Sequence, residues 1–205
     1  MTERYGFYIN SAACSGCKTC QVACRDKNDL HQGQNWRRVY EVEGGDWKSE
    51  NGAWTALPYS YYLSVSCNHC TDPECVKACP TTAMHINDLG IVLVDSEKCM
   101  GCGYCAWACP YDAPQPNPET GRMTKCDLCY DKIVSGENPS CVDSCPMRAL
   151  EFGTMKYLEE KYGSVRSVCP LPDPSVTNPN MVINPHRDAA RAGKEPGIIV
   201  NREEL

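Results

Sequence analysis

The sequence contains little of the hydrocarbon that usually fills a protein core. Leucine, isoleucine, valine and phenylalanine together make up 33 of the 205 residues, about 16%, and only 2 residues are phenylalanine. That share is below the roughly 20% under which a chain is expected to be disordered. The formal net charge is only −6, however, and polar residues form no low-complexity runs. Something other than a large apolar core must therefore stabilise the fold.

Several classes of protein are excluded by further absences. No apolar stretch approaches the ~20 residues of a membrane-spanning helix, and the run IVLV at 91–94 is only as long as a strand. The N-terminus, MTERYGFYIN, lacks the features of a signal peptide, and Arg37-Arg38 is internal, so it does not predict an export signal. Acidic residues outnumber basic ones by 26 to 20, which argues against nucleic acid as a partner. We find no general acid–base pair and no nucleotide-binding glycine motif, so neither catalysis nor a direct small-molecule substrate is predicted.

Cysteine is what the chain has in excess. It has 17 cysteines, an odd number, and most lie three to five positions from the next. Such tandem spacing favours metal sites over disulfides, because neighbouring positions of one loop can aim several sulfurs at one point. Sixteen of them fall into four runs: Cys14, Cys17, Cys20, Cys24; Cys67, Cys70, Cys75, Cys79; Cys99, Cys102, Cys105, Cys109; and Cys126, Cys129, Cys141, Cys145.

The runs also share an ending. Three of them continue as CPTTAM (79–84), CPYDAP (109–114) and CPMRAL (145–150), which indicates duplicated units. The third run matches the pattern C-x2-C-x2-C-x3-C-P of bacterial ferredoxins. In two-cluster ferredoxins the first three cysteines of such a run bind one [4Fe–4S] cluster and the fourth binds the partner cluster. The sequence therefore predicts iron–sulfur clusters.

Zinc is the alternative, since sixteen cysteines could form four sites of four thiolates. The fourth run would pass as a zinc site if it stood alone. Zinc sites do not usually have three cysteines spaced three residues apart and then a Cys-Pro pair. We expect no metal on His69, because its run already has four cysteines. We also expect Cys169 to be a free structural thiol, because it has no companion cysteine nearby.

Between the runs, short elements predict an α+β ferredoxin-like architecture. GFYIN at 6–10 and ALEFG at 149–153 are typical of strands, residues 83–95 of a β-hairpin, and 154–163 of a helix between an N-cap threonine and a glycine. Residues 31–62 hold many tryptophans and tyrosines, and we expect an insertion with its own strands and local aromatic core rather than a docking surface. The proline-rich segment 169–205 is expected to strap over a partner through two apolar triplets, 181–183 and 198–200, or else to be disordered.

The cysteine runs and their surroundings resemble the four-cluster iron–sulfur subunits of membrane-bound molybdoenzymes, especially the iron–sulfur subunits of anaerobic dimethyl sulfoxide reductases. The stretches that carry the resemblance extend from the N-terminus to about residue 153: YGFYIN, CSGCKTC, WRRVYEVEGGDW, YYLSVSCNHC, CPTTAMH, YCAWACPYDAPQ, MTKCDLCYDK and CPMRALEFG. The resemblance implies two ferredoxin-like halves related by a pseudo-twofold axis. One half would be 1–30 plus 120–153, the other 63–119, with the insertion 31–62 and a helix and docking tail at 154–205.

The resemblance also implies how the ligands are shared between runs. The four ligand sets would be Cys14, Cys17, Cys20, Cys145; Cys24, Cys126, Cys129, Cys141; Cys67, Cys70, Cys75, Cys109; and Cys79, Cys99, Cys102, Cys105. Relatives in the nitrate reductase branch have tryptophan at the position of Cys102 and hold a [3Fe–4S] cluster. Cysteine stands there in this sequence, so four [4Fe–4S] clusters are expected.

Other side chains near the ligands have ordinary interpretations. Most of the neighbouring basic residues are expected to be surface charge, although some could raise cluster potentials: Lys18, Arg25, Lys77, Lys98, Lys125 and Arg148. Tyr104 and Trp107 are expected to shield the cluster of the third run rather than to relay electrons.

Four clusters without a substrate site predict a non-catalytic electron carrier. By resemblance, electrons would pass from a quinol-oxidising membrane anchor subunit to a molybdopterin catalytic subunit that reduces dimethyl sulfoxide or a related oxide. The alternatives are another complex, such as a formate dehydrogenase, a thiosulfate or polysulfide reductase or an arsenate-type enzyme, a free polyferredoxin, or a zinc-stapled interaction module. Attachment at the outer face of the membrane, after co-export with the catalytic subunit, is expected, with the inner face as the alternative.

Overall fold

A computed structural model describes residues 3–192 and 197–204, and the parts of the tail prediction that fall on 193–196 and 205 lie outside them. Both α and β elements are present, as predicted. The strands are β1 (Tyr5–Asn10), β2 (Arg38–Glu50), β3 (Ala53–Val65), β4 (Met84–Ile86), β5 (Val92–Val94), β6 (Gln115–Pro116), β7 (Met123–Thr124), β8 (Leu150–Thr154), β9 (Met181–Asn184) and β10 (Ile198–Ile199). The α-helices are α1 (Thr19–Lys27), α2 (Glu74–Lys77), α3 (Tyr104–Ala108), α4 (Tyr130–Val134), α5 (Ser140–Asp143), α6 (Met155–Tyr162) and α7 (Ala189–Ala192), and short 3-10 turns lie at Pro174–Val176 and Arg202–Glu204.

Strand β1 is the centre of a three-stranded sheet in the order β8-β1-β9. It pairs antiparallel with β8 and parallel with β9, so that Phe7 lies opposite Phe152 on one side and Met181 on the other. Alternation along β1 sends Phe7 and Ile9 into the main core and Tyr8 to the opposite face. The predicted strands before the first run and after the fourth are thereby confirmed.

Helix α6 covers the outer face of this sheet. Its Met155 and Leu158 pack with Tyr8 of β1. The Thr154 side chain accepts a hydrogen bond from the backbone N–H of Tyr157, which satisfies one of the free donors at the helix start. Gly163, with φ of 87°, ends the helix. Both predicted caps are confirmed.

The long hairpin β2–β3 corrects the expectation of a separate aromatic core. Its lower part belongs to the main core, where Val39, Val42 and Leu63 are buried. Its tip is exposed, and Trp47 and Trp54 keep 63% and 68% of their surface accessible. The strands predicted for segment 31–62 are therefore present. Its apolar residues, however, are divided between the main core and the solvent-exposed tip.

The tail is likewise held by its own chain. Residues Met181–Asn184 form β9, which is buried against β1, and Ile198–Ile199 add a short strand, β10, to the edge of β2. The expectation that the first apolar triplet straps over a partner is therefore wrong, because it fills the core of this chain. The backbone N–H and C=O groups at the edge of β1 need hydrogen-bond partners, which explains why the triplet pairs with β1 and becomes buried.

The cysteine runs occupy the remainder, with short helices and the hairpin β4–β5 that was predicted at 83–95. Helix α1 packs on α5, and α2 packs on α3. Over the described residues, no helix is long and apolar enough to cross a membrane.

Candidate metal centres

Four thiols from the first and the fourth cysteine run surround the first candidate site. Cys14, Cys17, Cys20 and Cys145 line one space of about 360 Å³. Strand β8 begins just after Cys145, and its pairing with β1 brings the first and fourth runs together. The backbone N–H of Ala149 donates to the Cys145 sulfur at 3.3 Å.

An equivalent space lies at the second and third runs. Cys79, Cys99, Cys102 and Cys105 line about 310 Å³ of unfilled space. Backbone N–H groups again point at the sulfurs: Met84 donates to Cys79 at 3.4 Å and Met123 to Cys99 at 3.4 Å. Such donors stabilise negative charge on thiolates and on anything that the thiolates bind.

The third predicted set lies deeper in the chain. Burial raises the pKa of Cys24 to about 12, and repulsion from Cys141 and Cys129 adds to the shift. Cys126 is fully buried and its pKa is raised well above the usual value by burial, with repulsion from Cys24 and Cys141 among the further causes. These four thiols therefore lie close enough for their charges to interact.

The last predicted set is similar. Burial raises the pKa values of Cys70 and Cys75 to about 12, and repulsion from Cys67 and Cys109 adds to both shifts. Without a cation, several thiolates cannot coexist in so little water. A bound metal would displace the thiol protons and remove this repulsion.

The donor chemistry fits a cluster better than a single ion. A zinc ion needs four ligands at about 2.3 Å from its centre. Among the side chains that the structure describes, no three from His, Cys, Asp and Glu are close enough to share one metal ion. Four thiols around one shared space, as at these two sites, are instead the donor set of an iron–sulfur cluster that is held by four cysteine thiolates.

The loops repeat at the level of single dihedral angles. The residue before the second cysteine of each run has positive φ: Gly16, His69, Gly101 and Leu128. The residue three positions after the last cysteine does so in the three C-P runs: Thr82, Asp112 and Arg148. These positive-φ residues turn each loop around the space that its cysteines line. Only two of the seven positions are glycine, so the sequence gave little sign of the positive φ angles.

Short helices connect neighbouring groups of thiols. Each carries, or leads into, two cysteines four residues apart that belong to different groups: Cys20 and Cys24 at α1, Cys75 and Cys79 at α2, Cys105 and Cys109 at α3, and Cys141 and Cys145 at α5. We call the sets group one (Cys14, Cys17, Cys20, Cys145), group two (Cys24, Cys126, Cys129, Cys141), group three (Cys67, Cys70, Cys75, Cys109) and group four (Cys79, Cys99, Cys102, Cys105).

Groups two and three are also neighbours. The charge of Cys67 contributes to the raised pKa of Cys126.

The groups at the two ends differ from the inner two in exposure. Group one contains the exposed Cys17 and group four the exposed Cys102, whereas no cysteine of the inner groups is exposed. None of the 17 cysteines forms a disulfide. Cys169 is half-buried at the edge of the main core, and the hydroxyl of Tyr61 donates to its carbonyl oxygen at 2.6 Å.

Most of the predicted surface charges are on the surface. Lys18 pairs with Glu204, Lys77 with Glu74 and Lys98 with Asp95. Lys125 differs, because it is buried and donates to the carbonyl oxygens of Val92 and Cys126.

Two aromatic residues correct an expectation. Trp107 is 83% exposed and Tyr104 is 50% exposed, and neither lines the group four space. They form a surface pair with ring centroids 5.7 Å apart. The prediction that they shield the thiols of the third run is wrong for this chain.

His69 is wholly buried, and its Nδ1 accepts a hydrogen bond from the backbone N–H of Val92 at 3.2 Å. Burial, with the nearby charge of Lys125, holds its pKa well below the usual value. The neutral ring therefore has a structural role between β5 and the second run. That it binds no metal stays a prediction.

Sequence reasoning missed Arg37, which is 1% exposed between groups one and two. Burial opposes its charge, but the negative charges of Cys141, Cys20, Cys126 and Cys24 raise its pKa overall. The only sequence signal was a pair of arginines beside a strand of buried residues, and a pair of that kind is usually on the surface.

The chain is similar to known iron–sulfur proteins. Residues 58–155 match the family model described as a 4Fe-4S dicluster domain. The chain is 51% identical over its full length, and the full length of the relative, to a probable anaerobic dimethyl sulfoxide reductase chain of Escherichia coli. It is 50% identical over the same extent to the B subunit of the anaerobic dimethyl sulfoxide reductase of Escherichia coli. It is 37% identical to the thiosulfate reductase electron transfer subunit of Salmonella typhi, over 76% of this chain and 78% of that one. The chain therefore belongs to the family of the B subunits of anaerobic dimethyl sulfoxide reductases.

Proposed function

We propose that the chain is a non-catalytic electron-transfer subunit with four [4Fe–4S] clusters, one in each group of thiols. When bound, such a cluster takes up or gives off one electron, with a potential anywhere from about −700 to +450 mV. The observation that carries the proposal is the arrangement of the groups. Groups one and four each include an exposed cysteine, Cys17 and Cys102, whereas no cysteine of groups two and three is exposed.

The contribution of the protein to this function is insulation and connection. Buried cysteines and their apolar neighbours keep water away from the inner groups, so that electrons enter and leave at the ends. Helices α1 and α5 hold groups one and two at fixed separation, and α2 and α3 do the same for groups three and four. Backbone donors at Cys79, Cys99 and Cys145 stabilise the negative charge that each added electron brings.

We further propose two ferredoxin-like halves with a pseudo-twofold relation, groups one and two in one half and groups three and four in the other. The packing of α1 on α5 and of α2 on α3 supports the proposal. The positive-φ positions that recur in the runs support it too. The four ligand sets follow from this relation and are part of the same proposal.

As to partners, we propose a molybdopterin catalytic subunit at one exposed end and a quinol-oxidising membrane anchor at the other. The names of the full-length relatives support dimethyl sulfoxide or a related oxide as the final acceptor. Attachment to the membrane through these partners, at its outer face, is part of the proposal. Thiosulfate reduction is the second candidate, favoured by the relative in Salmonella typhi.

The test is purification of the intact complex from its host under anaerobic conditions. We expect copurifying catalytic and anchor subunits, about sixteen iron atoms per chain with equal acid-labile sulfide, and four one-electron couples in an EPR redox titration. Zinc without sulfide would overturn the iron–sulfur assignment. A stable lone carrier with no partners would overturn the subunit assignment. Oxide-dependent and thiosulfate-dependent oxidation of the reduced complex, compared side by side, decides between the two acceptors.

A further inference from the structure

Arg37 is a buried cation whose charge no carboxylate balances among the described residues. Its side chain is 1% exposed, and none of the ion pairs that the structure describes includes it. Its neighbours are neutral: the guanidinium lies over the Phe7 ring, 4.4 Å from the centroid, and Nε has no hydrogen-bond partner. A buried charge without a counter-ion is strongly disfavoured, so it indicates that negative charge belongs nearby.

Metal-bound thiolates of two different groups would supply that negative charge. Cys20 of group one and the three cysteines Cys24, Cys126 and Cys141 of group two act on Arg37 electrostatically. Arg37 thus lies where the first two groups meet.

A second route connects Arg37 to group one. Its Nη1 donates to Ser64 Oγ at 3.1 Å, and its Nη2 donates to Ser66 Oγ at 2.9 Å. Ser64 Oγ lies 3.3 Å from the Cys20 sulfur. Because the serine oxygen already accepts from the arginine, its own proton is available for the sulfur.

We propose that Arg37 is a shared positioning residue that sets the reduction potentials of the clusters in groups one and two. Its charge stabilises the reduced, more negative state of either neighbour, and its low-dielectric surroundings strengthen the effect. The hydrogen bond that connects Arg37 through Ser64 to Cys20 acts in the same direction. Arg37 therefore raises both potentials together and keeps electron exchange between the two clusters close to balance. This inference rests on the proposed ligation of both groups.

The test is an EPR redox titration of the intact complex carrying Arg37→Gln. We expect two of the four couples to move to lower potential, so that the ratio of reduced to oxidised cluster at fixed potential falls about tenfold, or about 59 mV for one electron. The other two couples should stay in place. Arg37→Lys, which keeps the charge, should shift the same couples by less than half as much.

Arg38→Gln is the matched control. Arg38 is the adjacent residue and is also buried, but its guanidinium donates to the carbonyl oxygen of Tyr111 and lies over the Tyr40 ring, 5.7 Å from the centroid. Its loss removes the same charge and a similar volume, and we expect it to leave the two couples where they are. If Arg38→Gln moved the same two couples equally, the effect would not belong to Arg37 and the inference would fail.

Ser64→Ala keeps the net charge and decides the matter even if Arg37→Gln fails to assemble. One couple should fall, because the donor to Cys20 is lost. Four unchanged couples in Ser64→Ala, or in an iron-replete Arg37→Gln complex, would overturn the inference and leave the proposed function intact. Iron and sulfide missing from the unaltered complex would instead overturn the proposed function itself.

Discussion

Cys20 and Cys24 lie one turn apart on α1 and belong to different groups of thiols. Cys20 lines the space shared with Cys14, Cys17 and Cys145, whereas the charge of Cys24 interacts with Cys141. A helix of nine residues thus connects two candidate clusters. Cys141 and Cys145 repeat this spacing at α5 and also connect groups one and two, whereas α2 and α3 connect groups three and four in the same way.

Gly101 provides a test of the loop around group four. With φ of 76°, it also lies so close to Gly121 that an added Cβ would be 2.2 Å from the Gly121 carbonyl oxygen. Gly101→Ala is expected to displace the loop between Cys99 and Cys102 and to lose the iron of one cluster, about four atoms per chain. Iron analysis and EPR measure this loss.

Gly103→Ala is the control for that experiment. Gly103 has nearly the same φ, 80°, but nothing lies within 4 Å of an added Cβ. Backbone strain alone should cost about 1 kcal/mol and leave the iron content unchanged. Equal iron loss in both variants would contradict the role given to the close approach of Gly121.

Asn201 fixes the end of the tail to β2. Its side chain accepts from the backbone N–H of Glu41 and donates to the carbonyl oxygen of Val39, each at 2.9 Å. Asn201→Ala leaves both backbone groups without these partners and is expected to destabilise the contact by about 1–3 kcal/mol. Limited proteolysis of the C-terminal segment should become faster.

The exposed Glu203 serves as the control, since it lies two residues further along, in the 3-10 turn that follows Asn201. Glu203→Ala should leave the proteolysis rate unchanged. If both variants are cleaved at the rate of the unaltered protein, the tail is not held by Asn201.

Cys169 tests the assignment of the odd cysteine. It packs at the edge of the main core and is the one cysteine outside the four groups. Cys169→Ser should retain all iron, acid-labile sulfide and EPR couples, because serine keeps the small volume of the side chain. Loss of one cluster in this variant would show that a ligand set is wrong.

Local features were predictable wherever a residue type strongly favours one structural role, such as a helix cap or a strand. Thr154 and Gly163 cap α6 as their types suggest, and the strand GFYIN pairs with the strand after the fourth run. The chemistry of the runs was predictable as well, since the spacing of the cysteines carries it. These signals are local, and no distant residue overrides them.

Features that depend on tertiary contacts were not predictable. The triplet at 181–183 gave no sign that it would pair with β1, because an apolar strand fits any open edge. Leu128 has a positive φ, which leucine rarely adopts, because the loop of each run turns at the residue before its second cysteine. Arg37 is buried although arginine is usually on the surface, because its partners Ser64 and Ser66 lie on and just after β3, and only the tertiary fold brings them to it.

The central claim is that ligands are exchanged between runs, and paired substitutions on α1 test it most directly. We predict that Cys20→Ser perturbs the cluster of group one, and that Cys24→Ser perturbs the cluster of group two and leaves the first in place. The measurement is an EPR redox titration of each variant complex, with iron and sulfide content. Two different couples altered, one in each variant, is the predicted result. The same couple altered in both variants would contradict the account, because Cys20 and Cys24 would then bind one cluster.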